Sequence, residues 1–328
     1  MYAGNNKKML NMLILEILKE YTDAEHPITQ QEIIELLKRN YDADCDRRSV
    51  RNNIRSLKDM GYDIYTGRGC YLAEREFENA ELRMLIDSVL FSKNLSGTQA
   101  KRLIDKLKSF GNRYFHANVS HVSNLPELFH SDNKQVMLAL DTLNDAIEKK
   151  RKVSFTYNRY GADFKLHPKR DEPYIVNPYQ MVANNGRYYL IGNYDKYDDL
   201  SHYRIDRMTF VTMLSESVKP KKEIKEFSKG WSLPKHMAEH IYMYSGESVM
   251  VKFIADKDII DELVDWFGRD FRIEKEDNDK ILVTLKCNER AMKYWALQYG
   301  GHIEIKEPKS LRETVKTAIA DMARKYAE

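Results

Sequence analysis

The chain has 328 residues, which is too many for one ordinary hydrophobic core, so we expect two or three domains. Its composition, 42% hydrophobic and 31% charged, is typical of globular proteins, and no apolar run approaches the roughly 18 residues that span a bilayer. These features exclude a membrane protein. The net charge of +3 is too small to indicate a nucleic-acid-binding protein, so that prediction needs local charge clusters.

The cellular compartment is predicted from the start of the chain and from its cysteines. Met1 to Lys8 is polar, and the apolar stretch after it contains charged residues, which is typical of an amphipathic helix and not of a signal peptide. The cysteines Cys45, Cys70 and Cys287 are widely separated and odd in number, so they form neither a disulfide framework nor CxxC metal spacing. We therefore expect a cytoplasmic protein.

Three amphipathic helices are predicted in the first sixty residues. Apolar residues at helical spacing indicate a first helix from Lys7 to Tyr21 and a second from Thr29 to Asn40, where Thr29 and Glu32 form a capping box. Asp46 can cap a third helix, which Gly61 ends. The apolar residues of this third helix are expected to face inward: Val50, Ile54 and Leu57.

The third helix is strongly basic, with Arg47, Arg48, Arg51, Arg55 and Lys58 and no acidic residue between the first and the last. Such a stripe can neutralise phosphates, and Arg48, Arg51 and Asn52 have donors that suit guanine or adenine edges in a major groove. The alternative is that these arginines only solvate one helix face.

A hairpin is predicted directly after the third helix. Short strand-like runs, Tyr62 to Tyr65 and Cys70 to Leu72, flank a tip from Thr66 to Gly69, whose glycines permit positive φ. Three helices, a basic third helix and a hairpin together match winged helix-turn-helix docking better than a solvated face does. We therefore expect residues 1–75 to bind a double-stranded DNA operator, with Arg68 of the wing added to the third-helix residues.

Residues 76–132 are predicted to connect this region to the next domain through two helices, Phe77 to Leu95 and Thr98 to Phe115. A polar loop from His116 to Asn133 follows, with histidines at positions 116, 121 and 130. We expect no metal site there, because neither H-x₃-H nor CxxC spacing accompanies these loop histidines. A helix from Lys134 to Lys149 then begins the next domain.

A small β domain is predicted from Arg151 onward, because Val153, Phe155 and Tyr157 alternate with polar residues. Further strands are expected, giving four or five in all: Phe164 to Leu166, Tyr174 to Val182, Arg187 to Tyr194 and Ser201 to Arg204. Asn184-Asn185-Gly186 is a hairpin turn between the two middle strands.

The tripeptide Tyr188-Tyr189-Leu190 and the segment Tyr203-Arg204-Ile205-Asp206-Arg207-Met208 resemble the motifs of the WYL-domain family in sequence and in spacing. Asn177-Pro178-Tyr179 and Asn184 to Arg187 strengthen the resemblance, which with the flanking domains covers nearly the whole chain. Tyr188 departs from it, since it replaces the tryptophan of the family name. The resemblance implies an Sm-like β-barrel, at residues 133–220, that binds a nucleotide-like or single-stranded nucleic-acid effector.

The residues of this domain suit such a ligand. Tyr157, Tyr189 and Tyr203 offer stacking faces, although each tyrosine taken alone is better explained by core packing. Four side chains offer donors for phosphate: Lys165, His202, Arg204 and Arg207. The arginines rank first, because burying an unpaired guanidinium is costly. Asp206 is expected either to hold Arg207 or to pair elsewhere inside the domain.

The last third of the chain, residues 221–328, is predicted to form a ferredoxin-like α+β domain. A charged connector and a short helical segment from Trp231 to Met243 precede elements in the order βαββαβ, and a final helix runs from Ser310 to Tyr326. This region resembles the C-terminal extension that follows WYL domains, and the resemblance implies a role in dimerisation. The expected fold class is thus α+β multidomain.

A ligand-responsive transcription regulator, acting as a homodimer without a cofactor or metal, is the function that these features favour. An enzyme is disfavoured, because the chain has no HExxH, GxSxG, Walker phosphate loop or GxGxxG motif after a strand. The alternative is a nucleic-acid-binding accessory protein that does not act at promoters.

Overall fold

A computed structural model of the chain describes residues 9–118, 133, 135–228, 230–276 and 279–327. The chain divides into two compact units, residues 1–132 and 133–328. No helix within the described ranges is long and apolar enough to cross a membrane. The predicted loop histidines His121 and His130 lie outside these ranges, as do Lys7 and Lys134 at the predicted helix starts.

The first unit begins with three helices and a two-stranded hairpin: α1 (Leu10–Tyr21), α2 (Gln30–Tyr41), α3 (Arg47–Asp59), β1 (Ile64–Thr66) and β2 (Cys70–Leu72). They share one core, to which α3 contributes Val50, Ile54 and Leu57 as predicted. The hairpin strands are antiparallel, and β1 starts at Ile64 instead of the predicted Tyr62.

The helix ends follow from local capping. Thr29 Oγ1 accepts a hydrogen bond from the Glu32 amide, and the Glu32 carboxylate accepts one from the Thr29 amide at 2.7 Å, which confirms the capping box. The Asp46 carboxylate accepts from the Ser49 amide at 2.6 Å and starts α3. Gly61, at a φ of +98°, takes the left-handed conformation after α3.

Three further helices complete the described part of this unit: α4 (Asn79–Leu90), α5 (Gly97–Lys108) and α6 (Arg113–Asn118). The predicted single helix from Thr98 to Phe115 is therefore wrong, since it is divided between α5 and α6. The buried Asn112 causes the division, because its side chain donates to the Thr22 carbonyl and accepts from the Phe115 amide, which caps α6. The predicted first connector helix also ends earlier, at Leu90.

The second unit begins with one helix and a curled antiparallel sheet: α7 (Val136–Glu148), β3 (Arg151–Tyr160), β4 (Leu166–Pro168), β5 (Tyr174–Asn184), β6 (Arg187–Tyr194), β7 (Ser201–Arg204) and β8 (Met208–Ser217). The strand order is β4-β3-β5-β6-β7, and β8 also pairs with β3. The helix α7 packs its buried residues into the same core as the sheet.

Two details of this sheet differ from the predictions. The predicted strand from Phe164 to Leu166 is wrong, because Phe164 lies in a turn with a φ of +60° and 82% exposure, and β4 begins only at Leu166. The strand β8 was not predicted, so the sheet has six strands instead of four or five. The turn at Asn185 and Gly186, with φ values of +49° and +70°, joins β5 to β6 as predicted.

The remaining elements follow the predicted order after a short 3₁₀ turn, Lys221–Glu223: α8 (Lys225–Ser228), α9 (Leu233–Glu239), β9 (Ser248–Asp256), α10 (Ile260–Phe267), β10 (Phe271–Glu276), β11 (Lys280–Asn288), α11 (Glu289–Gln298), β12 (Ile303–Glu307) and α12 (Lys309–Tyr326). The helical segment predicted from Trp231 to Met243 is shorter, ending at Glu239. The four strands form an antiparallel sheet in the order β10-β11-β9-β12, and Trp295 lies fully buried in its core.

Candidate nucleic-acid interface and ligand site

The outer face of α3 is a cluster of exposed donors. All six residues that the sequence assigned to it are exposed: Arg47, Arg48, Arg51, Asn52, Arg55 and Lys58. At 100° per residue they cover an arc of roughly 140°, whose centre lies roughly 120° from that of the stripe formed by the buried apolar residues. Arg47 Nη2 donates to Gln31 Oε1 of α2 at 3.3 Å. The two acidic residues nearest this face, Asp46 and Asp59, stand at the helix ends.

The hairpin beside α3 is tied to the segment that precedes α2. The Ile28 and Cys70 backbones exchange two hydrogen bonds, of 3.0 and 2.6 Å. Gly69 permits this approach, because a Cβ there would lie 3.0 Å from Pro27 Cβ and 3.2 Å from the Ile28 oxygen. Neither tip glycine has a positive φ in the structure. Arg68 is exposed at the tip.

In the second unit, a buried carboxylate organises a cluster of arginines. Asp206 is 2% exposed, and its carboxylate accepts bonds from Arg204 Nε at 3.0 Å, Arg204 Nη2 at 2.6 Å and Arg187 Nη1 at 2.9 Å. Burial lowers the pKa of Arg204, but the bonds to Asp206 outweigh it and raise that pKa overall. Burial and the neighbouring Arg204 lower the pKa of Arg187. The carboxylate therefore holds two guanidiniums whose heads remain partly exposed.

Arg207 has a different environment from its neighbours. Its Nε atom is buried, and no described residue provides it with a hydrogen-bond partner. Of the two arrangements proposed for Asp206, the structure shows internal pairing with Arg204 and Arg187. Tyr189 lies opposite Arg204 on the adjacent strand, so their side chains project from the same face of the sheet. Burial raises the pKa of Tyr189.

The other two candidate tyrosines belong to the core. Tyr157 and Tyr203 are 8% and 7% exposed, and their ring centres are 5.5 Å apart in an edge-on contact. Burial raises the pKa of Tyr203 to about 12. Tyr157 Oη accepts a hydrogen bond from the Arg204 amide at 3.1 Å, so this tyrosine positions the strand that carries Arg204. Core packing is thus the observed role of both rings.

The remaining two candidates have other partners. Lys165 is exposed in the turn between β3 and β4, where its amide donates to Asp163 Oδ1. The His202 side chain instead meets two histidines from the segment around α9: its Nε2 lies 2.7 Å from His236 Nε2, and its ring centre lies 4.9 Å from that of His240. Among the described contacts, none joins either residue to Arg204 or Arg207.

Comparison with known families decides the classification. The model of the WYL domain matches residues 139–213, which include α7 and most of the curled sheet, and the model of the WCX domain matches residues 246–323. A protein of Bacillus subtilis (strain 168), named "Uncharacterized HTH-type transcriptional regulator YobV", is 21% identical to this chain over 344 residues. The match covers 98% of each of the two chains. The chain contains a WYL domain followed by a WCX domain.

Solved structures similar to this WYL-domain protein are distant. "Proteasome accessory factor B/C (PafBC) of Arthrobacter aurescens" is 14% identical with a TM-score of 0.30, and the match covers 99% of this chain but only 49% of that one, so the chain spans about half of its length. A structure titled "Crystal structure of a CRISPR Cas-related protein" is 16% identical with a TM-score of 0.41, over 97% of this chain and 84% of that one.

Sequence reasoning missed two features of the WYL-domain protein. Arg187 was quoted only as part of a motif, although its position beside Asp206 makes it a member of the arginine cluster. The pair His236 and His240 has H-x₃-H spacing, which none of the loop histidines has. This spacing is visible in the sequence, whereas the contact of the pair with His202 could be found only from the fold.

Proposed function

We propose that the protein is a DNA-binding transcription regulator that contacts a double-stranded operator through the outer face of α3. The observation that carries the proposal is the exposed arc of five cations and Asn52 on a helix that packs a separate apolar stripe into the core. A helix of this kind fits the width of a major groove, where arginine and asparagine read guanine and adenine edges. The similarity to an HTH-type regulator supports the same assignment.

The hairpin suits the role of a wing. Its tip carries Arg68, and its strands are fixed to the core through the Ile28–Cys70 bridge, so the tip is held at a set position relative to α3 within the same unit. A cation at such a tip contacts phosphate or the minor groove, and these contacts contribute affinity without sequence preference.

The test of DNA binding is footprinting on the DNA upstream of the protein's own gene, followed by fluorescence anisotropy on the protected fragment. Arg51→Ala and Asn52→Ala should each weaken operator binding by about 1 to 3 kcal/mol if each residue reads a base. Arg102→Ala is the matched control, because Arg102 is also exposed but lies on α5. Arg68→Ala should weaken all sequences alike and lower the salt dependence.

The outcome also distinguishes the regulator from the accessory protein. A discrete protected site supports a promoter-specific regulator, whereas uniform weak binding along the fragment favours a nucleic-acid-binding accessory role. Equal operator affinity of the wild type, Arg51→Ala, Asn52→Ala and Arg68→Ala proteins would overturn the assignment of the whole first unit.

We propose further that the WYL domain binds a nucleotide or a short single-stranded nucleic acid at the arginine cluster. Two guanidiniums pair with the Asp206 carboxylate, and Arg207 lies close enough to interact electrostatically with Arg187, so the group has a local excess of two positive charges for phosphate. The buried Nε of Arg207 is an unsatisfied donor, and Tyr189 offers an aromatic face beside Arg204. Here the structure supports Arg207 over Arg204 as the direct contact, because Arg204 already has a partner.

Titration of fluorescein-labelled short single-stranded DNA and of nucleotides tests this site. Arg207→Gln should weaken binding at least about tenfold, since it removes one charge-assisted bond worth roughly 1.5 to 3 kcal/mol. Arg159→Gln is the control, because Arg159 is exposed on β3 of the same domain. If the ligand alters operator affinity, operator DNA must alter ligand affinity by the same factor. Undiminished binding by folded Arg207→Gln would place the site elsewhere.

A further inference from the structure

Three histidines from two separate segments of the chain meet in the second unit. His202 comes from β7, His236 from α9, and His240 follows directly as the C-terminal cap of α9. Their ring centres are 4.2 Å apart for His236 and His240, 4.9 Å for His202 and His240, and 5.0 Å for His202 and His236. His236 and His240 are 7% and 5% exposed. We name this trio the histidine cluster.

The hydrogen bonds within the cluster leave ring nitrogens available. His202 Nε2 and His236 Nε2 are 2.7 Å apart, so one of them donates to the other. His202 Nδ1 is buried without a partner of full hydrogen-bond geometry among the described residues, and the Tyr244 backbone is the nearest group that could support it. His240 Nδ1 lies 2.9 Å from the Tyr244 carbonyl oxygen, so Nδ1 must carry the hydrogen of that bond. In the neutral ring Nε2 then has a free lone pair that can accept a bond.

The histidine cluster is buried, yet it reaches a cavity. Burial lowers the pKa of His236 to about 3 and also lowers the pKa values of His202 and His240. His236 and His240 line a cavity of about 820 Å³, which also reaches Trp231 and Ser248 and provides an entry path from the surface. A donated Nδ1–H bond to a backbone carbonyl, as His240 makes, is the usual support of a metal-binding histidine.

We propose that the histidine cluster binds one divalent transition-metal ion of the zinc type, with His202, His236 and His240 as ligands and the cavity side as the open position. In a tetrahedral site with Zn–N distances of 2.0–2.1 Å, ligand nitrogens are roughly 3.3 Å apart and ring centres roughly 5 Å apart. Two of the observed ring-centre distances, 4.9 and 5.0 Å, match that spacing, whereas the 4.2 Å between His236 and His240 is shorter. The nitrogens of His202 and His236 would have to separate by only about 0.6 Å.

The His240 ring has to turn before its Nε2 can bind the same ion as His202 and His236, because the donor atoms of the three histidines do not all lie within 4.8 Å of one another. Among the described residues, the only three metal-binding side chains whose donor atoms all lie within 4.8 Å of one another are Asp256, Asp258 and His302. In the histidine cluster, His240 Nε2 faces Ser248 Oγ at 3.5 Å, the outer limit of a hydrogen bond, so this contact holds the ring weakly.

The Asp256 group is the rival metal site on this unit. It lies at the surface, and the Asp256 carboxylate already faces Lys280 Nζ at 3.7 Å and His302 Nδ1 at 3.2 Å. A lysine at that distance opposes a cation. Three neutral imidazoles in a buried pocket are a better donor set for zinc, because imidazole suits first-row transition metals and carboxylate oxygen suits magnesium and calcium.

The position of the cluster gives the ion a structural consequence. His202 lies within the region matched by the WYL domain, whereas His236 and His240 lie between that region and the WCX domain. A bound ion would therefore cross-link strand β7 to the segment that leads into the WCX domain. Because an ion that binds only the folded state stabilises it, zinc should raise the unfolding temperature of the protein.

The test is isothermal titration of Zn²⁺ into the full-length, tag-free and chelator-treated protein, with Co²⁺ absorption as a second probe. We expect one equivalent to bind, with the visible bands of tetrahedral cobalt and a rise in the unfolding temperature. His236→Gln and His240→Gln should weaken zinc binding at least about 100-fold, beyond the 10- to 100-fold typical of an outer-shell change. His302→Gln and His167→Gln are controls and should bind as the wild type does.

A measurement on the wild type avoids the risk that a variant misfolds. Two-bond ¹H–¹⁵N spectra of the imidazoles should show that zinc perturbs three of the nine histidines. Absence of saturable binding by the folded wild type overturns the proposal. Loss of binding in His302→Gln alone, or unchanged binding in folded His236→Gln and His240→Gln, also overturns it, because the ion would then occupy the Asp256 group or another surface.

Discussion

Replacement of Asp206 should destabilise the second unit more than replacement of any exposed carboxylate. In Asp206→Ala the three charge-assisted bonds to Arg204 and Arg187 are lost, and two guanidiniums with side chains 20% exposed lose their counter-ion. Bonds to charged groups contribute roughly 1.5 to 3 kcal/mol each, and breaking a buried pair costs roughly 3 to 5 kcal/mol. Because both arginine heads can turn toward water, we expect Asp206→Ala to lower the free energy of unfolding by about 3 kcal/mol, the low end of that range.

Asp206→Asn should lower the free energy of unfolding by less, about 2 kcal/mol, because the amide oxygen still accepts one hydrogen bond although the negative charge is gone. The assay is urea unfolding followed by tryptophan fluorescence, which reports on this unit because all three tryptophans lie beyond residue 133. Asp198→Asn is the control: Asp198 is 82% exposed and pairs with Lys219, so its loss should stay within about 0.5 kcal/mol. A loss below about 1 kcal/mol for Asp206→Ala would refute the reasoning.

Three further predictions concern the folding units and the assembly. Arg75 donates to three carbonyl groups near the end of α1, so Arg75→Ala should cost about 2 kcal/mol in urea unfolding followed by circular dichroism, and an unchanged midpoint would contradict this. Hydrogen bonds from Asn177 and Lys152 lower the pKa of Asp195. The stability that Asp195 contributes should therefore be present above about pH 4 and be lost as the pH falls below that value. In a plot of the free energy of unfolding against pH, Asp195→Asn should flatten this acidic part. Light scattering should report a homodimer, since one winged helix contacts too few base pairs for specificity, and a monomer with and without DNA would count against it.

Much of the fold follows from local sequence signals. Helices α2 and α3 could be predicted because their caps, Thr29 with Glu32 and Asp46, act within three residues. The β5–β6 turn could be predicted because Asn185 and Gly186 accept positive φ. The break between α5 and α6 could not, because it depends on bonds from Asn112 to residues about ninety positions earlier. Long-range pairing overrode a continuous helical pattern there.

The candidate sites were predictable to different degrees. The outer face of α3 needs only helical periodicity, so every residue assigned to it is exposed as expected. The arginine cluster needs the pairing of β6 with β7, which brings Arg187 and Arg204 to one buried Asp206. His202 was assigned to the same ligand site because its side chain offers a donor for phosphate, whereas its contacts are with His236 and His240. The residue type alone was a poor guide to those contacts.

The direct test of the account is a set of affinities for Arg51→Ala and wild-type protein on the operator and on operators with single base-pair changes. If α3 reads bases, Arg51→Ala should weaken binding to the natural operator by about 1 to 3 kcal/mol and have little further effect once its contacted base pair is changed. Equal losses on every operator would show that Arg51 contacts only phosphate. Unchanged affinity of both Arg51→Ala and Asn52→Ala proteins for the natural operator would contradict the central claim that α3 is the recognition helix.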